Sequence, residues 1–170
     1  MNRRNIFSLS LMTALGLALV PATSGAQQKS LKEQVVGTWM LISIISTATD
    51  GTKSELFGPN PKGLFIFESN GRFSQIAMRS DLPKFGTNNR ATGTAEENKA
   101  VVQGSIAYFG TYSVDEADKS LTMQLEGATF PNAAGTAQKR ALSMSGDELT
   151  FFNAGGSTGG SNEVKWKRAK

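Results

Sequence analysis

The sequence of 170 residues contains no cysteine and no histidine. Without cysteine there is no disulfide, no thiol nucleophile and no lipid attachment through an N-terminal cysteine. Without histidine the commonest general base near neutral pH is missing, a Ser-His-Asp arrangement is impossible, and zinc and copper lose their preferred ligands. No G-x-S-x-G elbow occurs, and no glycine pattern sits between a strand and a helix as a phosphate cradle requires. Asp115, Glu116 and Asp118 cluster, but they lack the spacing and the terminal bidentate acid of a calcium loop and read as a solvated turn. No cofactor, metal or dedicated catalytic residue is therefore expected, and stability must come from packing and hydrogen bonding alone.

Charge of one sign is also scarce. The net excess is +4, and it falls to +2 when Arg3 and Arg4 are set aside. The remaining basic residues are scattered among acids, which makes nucleic acid and an anionic membrane poor partners. The closing "KWKRAK" reads as a solvated tail. Long hydrophobic runs are absent too: Ile6 to Val20 is shorter than the roughly 20 residues that cross a bilayer. Preceded by Arg3 and Arg4 and followed by Ser24-Gly25-Ala26, that stretch has the order of a secretory signal peptide with cleavage after Ala26. The expectation is a periplasmic or secreted protein without a membrane anchor, exported by the general or the twin-arginine route. Residues 27–170, 144 in number, suit one domain, as a monomer or weak homo-oligomer.

What is present is mostly strand. "SLKEQVVG" opens with Ser30 and Glu33 at capping-box spacing, which predicts a short helix from about Leu31 to Val36, stopped by Gly37. "TWMLISIISTAT" is rich in β-branched and aromatic residues and runs into the turn pair Asp50-Gly51. "FGPNPKG", residues 57–63, crowds two prolines and two glycines into a shaped loop. Strands at 64–68 and 72–79 flank Asn70-Gly71, the strongest hairpin signal in the chain. A polar excursion follows, with Thr94 and Glu97 predicting a second short helix over about 95–103. Strands then return at 105–114, 120–130, 136–144, 148–153 and 163–168. Short connections leave no room for parallel crossovers. The fold class is all-β: an eight-stranded antiparallel up-and-down barrel with a short N-terminal helix and one short helix between its third and fourth strands, since closure removes exposed edges.

Alternation assigns the inner face. Ile106, Tyr108, Gly110, Tyr112 and Val114 share one side of their strand, so both tyrosines point inward, among Trp39, Leu41, Ile45, Met78, Met123, Leu142 and Met144. Two inner tyrosine hydroxyls and several adaptable methionines fit an amphipathic cavity as well as they fit a filled core. Arg140 shares the parity of Leu142 and must find a carboxylate or a wet cavity. Glu126, on the neighbouring strand, turns outward unless Gly127 marks a bulge. A structural ion pair, or an exposed pair on the barrel wall, is the plainer role for these two. Arg79 and Lys84 place positive charge near one mouth, which "MRSDLPKF" and the excursion should cover.

In combination and in order, "VGTW", "FGPNPKG", "MRSDLPKF", "IAYFGTYSVDE", "EGATFPNAAGTAQKR" and "WKR" resemble the small bacterial lipocalin-like domain proteins, a lipocalin or calycin type of barrel. The resemblance implies an eight-stranded barrel whose Trp39 plugs the closed end near the last strand. Its relatives often carry histidine around Met123 and Gln124 and a polar residue near Leu82; this chain has replaced such groups, which removes their proton chemistry. The leading expectation is a barrel that binds a small, largely apolar or amphipathic molecule, the candidate ligand-binding residues being Met78, Arg79, Tyr108, Tyr112, Met123, Glu126 and Arg140. One alternative is a cofactor-free isomerase or cyclase on the same barrel, using tyrosine and Glu126. A second is a structural or partner-binding module with a filled core.

Overall fold

A computed structural model describes residues 29–156 and 159–170; the expected export signal over 1–26 lies outside them. The chain enters through α1, Leu31–Val35, whose capping box is formed: Ser30 Oγ accepts from the Glu33 amide at 3.2 Å, and the Glu33 carboxylate accepts from the Ser30 amide at 2.8 Å. The next two free donors of that first turn, the amides of Leu31 and Lys32, are taken at 2.9 Å each by the carboxylate of Glu116, from a turn distant in sequence. The helix stops at Val36, whose backbone is already extended, and Gly37 at φ +128° supplies the left-handed step into the first strand.

Nine strands follow: β1 Gly37–Thr47, β2 Lys53–Glu55, β3 Lys62–Phe67, β4 Arg72–Met78, β5 Ser105–Asp115, β6 Ser120–Ala128, β7 Ala137–Ser145, β8 Glu148–Asn153 and β9 Ser161–Arg168. All neighbouring pairs are antiparallel, and β9 returns to pair with β1 from Trp39 against Arg168 to Thr47 against Ser161. The sheet is closed, and eight of its strands form the expected barrel. The ninth, β2, is an addition to the count read from the sequence. It is three exposed residues with no apolar alternation to announce it, and it forms because β3 covers only Gly37 to Met40 of β1, leaving Ile45 to Thr47 free to pair. A second helix, α2, Ala95–Gly104, closes the excursion before β5, again with a formed capping box, from Thr94 to Glu97.

The β3–β4 hairpin turns at Asn70-Gly71, as expected, but the left-handed angle falls on Gly71 alone, at φ +87°. Asn70 contributes its side chain, which accepts from the Arg72 amide at 2.9 Å. Two irregularities reset which side chains face inward. In β1 the register shifts between Leu41 and Ser43, so Ile44 is buried and Ile45, expected inside, is only half-buried. Between β5 and β6 it shifts at Phe109/Gly110, with Glu126 as the extra residue. Glycine is required at 110, where a Cβ would strike the Gln124 carbonyl.

One half of the barrel is solid. Trp39 is fully buried, its indole donates to the Val35 carbonyl at 2.8 Å, and Arg168 lies over its ring at 4.1 Å. Above it Phe65 stacks on Phe67 at 4.1 Å, and Phe73, Phe151, Tyr112 and Trp166 complete the cluster. Each such ring contributes roughly 1.5–3 kcal/mol by leaving water. The Tyr112 hydroxyl donates to the Glu68 carbonyl at 2.8 Å, which ties the cluster to the hairpin, and burial pushes that hydroxyl above its ordinary value. Arg168 also donates to the carbonyls of Val36 at 3.0 Å and Gln34 at 2.6 Å, so the last strand holds the end of α1 against the barrel.

Two outcomes follow from this arrangement. Arg168→Ala should lower the unfolding free energy in urea by about 2 kcal/mol, with Arg168→Lys recovering only part of it, because an ammonium cannot serve two carbonyls and lie flat on Trp39; a loss within experimental error would show that the clamp is ornamental. The carboxyls of Glu126 (by hydrogen bonds from Arg72), Asp118 (from Lys139), Asp81 (from Arg79) and Glu97 (from the amides of Gly86 and Thr94) are all held below their ordinary values. A carboxyl lowered in the folded state adds stability above its unfolded value and gives it up as pH falls through the lowered one. With no histidine to titrate, the melting temperature at constant ionic strength should be level between about pH 5 and 8 and fall below about pH 4. A step near pH 6.5 would contradict this.

Candidate functional site

The other half of the barrel is open. On the side where β4, β6 and β8 end and β5, β7 and β9 begin, a cavity of about 760 Å³ runs inward from the mouth, within the range of small-molecule sites. Its apolar wall includes Ile44, Phe57, Ile106, Leu125 and Val164, and the rim is made by Val101 and Val102 of α2 and by Phe130 beside the 3-10 turn Pro131–Ala133. Trp166, packed edge-on against Phe65 at 5.4 Å, separates the cavity from the solid half.

Polar side chains stand on this wall at defined positions. Arg140 points inward from β7, 7% exposed, between inward Leu142 and half-buried Gln138. Its Nη2 donates to Gln138 Oε1 at 2.8 Å, and its guanidinium lies 5.6 Å from the centre of the Tyr108 ring. Tyr108 is opposite Gln75 of β4, which is inward because Phe73, Gln75 and Ala77 share the buried face. On the other side, Ala141 pairs with Phe152, so Arg140 comes next to Asn153, and Asn153 is opposite Asn162 of β9. Gln75, Tyr108, Arg140, Asn153, Asn162 and Trp166 all line the cavity.

The residues expected from the sequence divide accordingly. Tyr108 and Arg140 are in the cavity wall, facing each other. Tyr112 and Met123 are inward and buried, as alternation requires, but they belong to the solid half and do not line the space. Met78 is a correction: counted from Phe73 it has outward parity, and it borders a hollow on the outer wall with Met40, Leu64 and Ile76. Arg79 is outside the cavity, paired bidentately with Asp81 at 2.8 Å. Glu126 is a second correction, since it does not meet Arg140. Regular alternation after buried Met123 and Leu125 leaves it on the outer surface, where Arg72 holds it through two hydrogen bonds of 2.8 and 3.1 Å. The isomerase or cyclase alternative thus loses the interior carboxylate it relied on. Of the excursion, α2 reaches the mouth, whereas the Ser80–Phe85 stretch does not border the cavity. The acidic turn is absorbed structurally: Asp115 accepts from the amides of Ala117 and Asp118, Asp118 pairs with Lys139, and Glu116 caps α1.

Four of these polar wall residues, Gln75, Asn153, Asn162 and Trp166, escaped the sequence reading as ligand contacts. Gln75 could have been found, because a polar residue between Phe73 and Ala77 on an inner face is a signal in itself. Asn162 could not, as it adjoins a glycine-rich turn and reads as loop. Trp166 was visible as a large residue on the last strand, but only packing shows that it borders the cavity.

Residues 36–169 match the lipocalin-like domain family. Among solved structures the chain is similar to a lipocalin-like protein from Bacteroides uniformis, at 15% identity and a TM-score of 0.43, over 79% of this chain and 97% of that one. Comparison with curated proteins finds no match. A family match across nearly the whole described barrel, beginning one residue before the strand that carries Trp39, makes this chain a member of the lipocalin-like domain family.

Proposed function

We propose that the protein binds a small, largely apolar molecule in the open half of its barrel, acting as a carrier in the periplasm or outside the cell. The observation that carries this reading is the division of the interior: a packed aromatic half on one side of Trp166 and a cavity of about 760 Å³ on the other. A barrel intended as a filled structural module would extend its aromatic packing to both ends, since every unfilled methylene-sized gap costs about 1 kcal/mol. Here Ile44, Ile106, Leu125 and Val164 face space. Exposed Val102 and Phe130 at the rim suit the passage of an apolar guest, and Tyr108 and Arg140 give it a polar end to meet. The export signal read over residues 1–26 supports the compartment.

The neutral dye phenylnaphthylamine tests the reading, since it brightens on entering an apolar site and accepts energy from nearby tryptophan. Saturable uptake by the mature protein is expected, with quenching of Trp166. Ile106→Trp, which fills the mouth, should weaken uptake by at least about tenfold, equivalent to about 1.4 kcal/mol, while leaving the fold intact by circular dichroism. Uptake unchanged by that substitution would place the dye elsewhere, and absence of uptake would refute the carrier reading.

A further inference from the structure

Five buried side-chain polar atoms among the described residues have no hydrogen-bond partner: Gln75 Oε1, Ser120 Oγ, Arg140 Nε, Asn162 Oδ1 and Trp166 Nε1. Four of them belong to residues that line the one cavity just described, and those residues are 6%, 7%, 8% and 1% exposed for Gln75, Arg140, Asn162 and Trp166. Orphaned buried polar atoms are rare in a finished fold, because each forfeits its hydration without compensation. Four such residues around a single space favour a ligand with polar groups to meet them.

Arg140 adds a charge to this account. It is the sole charged residue among the buried polar ones described, and none of the ion pairs among the described residues includes it. Its neighbours are neutral: Gln138 accepts one of its N–H groups and the Tyr108 ring faces it. Among the described residues no carboxylate lines the cavity, so none of them offers Arg140 a compensating negative charge there. A guanidinium with unused N–H donors selects an oxyanion, and Trp166 supplies a further donor from the floor.

The position of these groups sets an orientation. Along β5, Ile106 comes before Tyr108 on the way in, and Val101, Val102 and Phe130 lie at the mouth. The charged and donor groups Arg140 and Trp166 are therefore deeper than the apolar rim. From this we infer that the guest is an amphipath carrying an oxyanion (carboxylate, sulfonate or a phosphate ester), held with that group inward on Arg140 and Trp166 and its apolar body toward the rim. Gln75 and Asn162 stand ready to accept from a hydroxyl or amine on the same molecule. This rests on the carrier reading and narrows it to a chemical class.

A matched pair of dyes separates the two claims. Phenylnaphthylamine is neutral; anilinonaphthalene sulfonate has the same aromatic body with an added sulfonate. The mature protein should bind the sulfonate at least about tenfold more tightly than the neutral dye. Arg140→Met should abolish that preference, bringing the two affinities within about threefold of each other, and Arg140→Lys should restore part of it, since a lysine keeps the charge without the fork. Should Arg140→Met fail to fold, the wild-type preference and the lysine variant still decide. Equal or weaker binding of the sulfonate by the wild type would overturn the oxyanion assignment and leave the carrier reading standing. A preference for the sulfonate that survives Arg140→Met would overturn the assignment to Arg140. Binding of neither dye would overturn the carrier reading, and this inference with it.

Discussion

The pairing of β1 with β9 is the constraint on which the rest of the molecule depends. A meander of antiparallel strands left open would present two rows of unpaired backbone groups, and its inner face would need a second layer to cover it. Here the last strand returns along the first from Trp39 to Thr47, and the inner face covers itself. Arg168 reinforces the junction at its closed end, where one side chain lies on Trp39 and takes two carbonyls from the α1 segment. At the other end the junction is plain ladder, which leaves that mouth free of a plug.

Closure turns the order of residues along each strand into a depth scale. Near the hairpins Glu68–Arg72 and Asp115–Lys119 the inward positions are largely phenylalanine, tyrosine and leucine, and Phe65 and Phe67 of β3 meet Phe151 of β8 across the axis. Nearer the mouth the inward positions include Gln75, Arg140 and Asn162 instead. Polar groups are tolerated at such depth only where something other than the chain can satisfy them, because an unpaired buried donor or acceptor costs about 1–3 kcal/mol. The change from aromatic to polar lining and the change from solid to open interior are thus one feature, seen once as chemistry and once as volume.

Much of the fold was legible in local patterns. Ser30 with Glu33, Thr94 with Glu97, and Asn70 with Gly71 each name a helix start or a turn because the hydrogen bonds involved span only a few residues. Alternation placed Tyr108, Tyr112, Met123, Leu142 and Arg140 on the inner side correctly, since a strand's period of two holds wherever the ladder is regular. It failed at Ile45, where the β1 bulge shifts the phase, and at Met78, which lies one position past an inward Ala77. β2 was invisible because its three residues have no face of their own; they pair only because a stretch of β1 is left uncovered.

The sequence by itself determined the absence of histidine and cysteine chemistry, the antiparallel barrel and the inward direction of Tyr108 and Arg140. These follow from composition and from interactions between near neighbours in the chain. Only the tertiary structure decided that Tyr112 and Met123 fall in the solid half, that Glu126 is taken by Arg72 on the outer wall, and that Gln75, Arg140, Asn162 and Trp166 surround one cavity. Those outcomes depend on which strands stand opposite one another across the barrel axis. That distance is set by closure and bulges, and no local period in the chain encodes it.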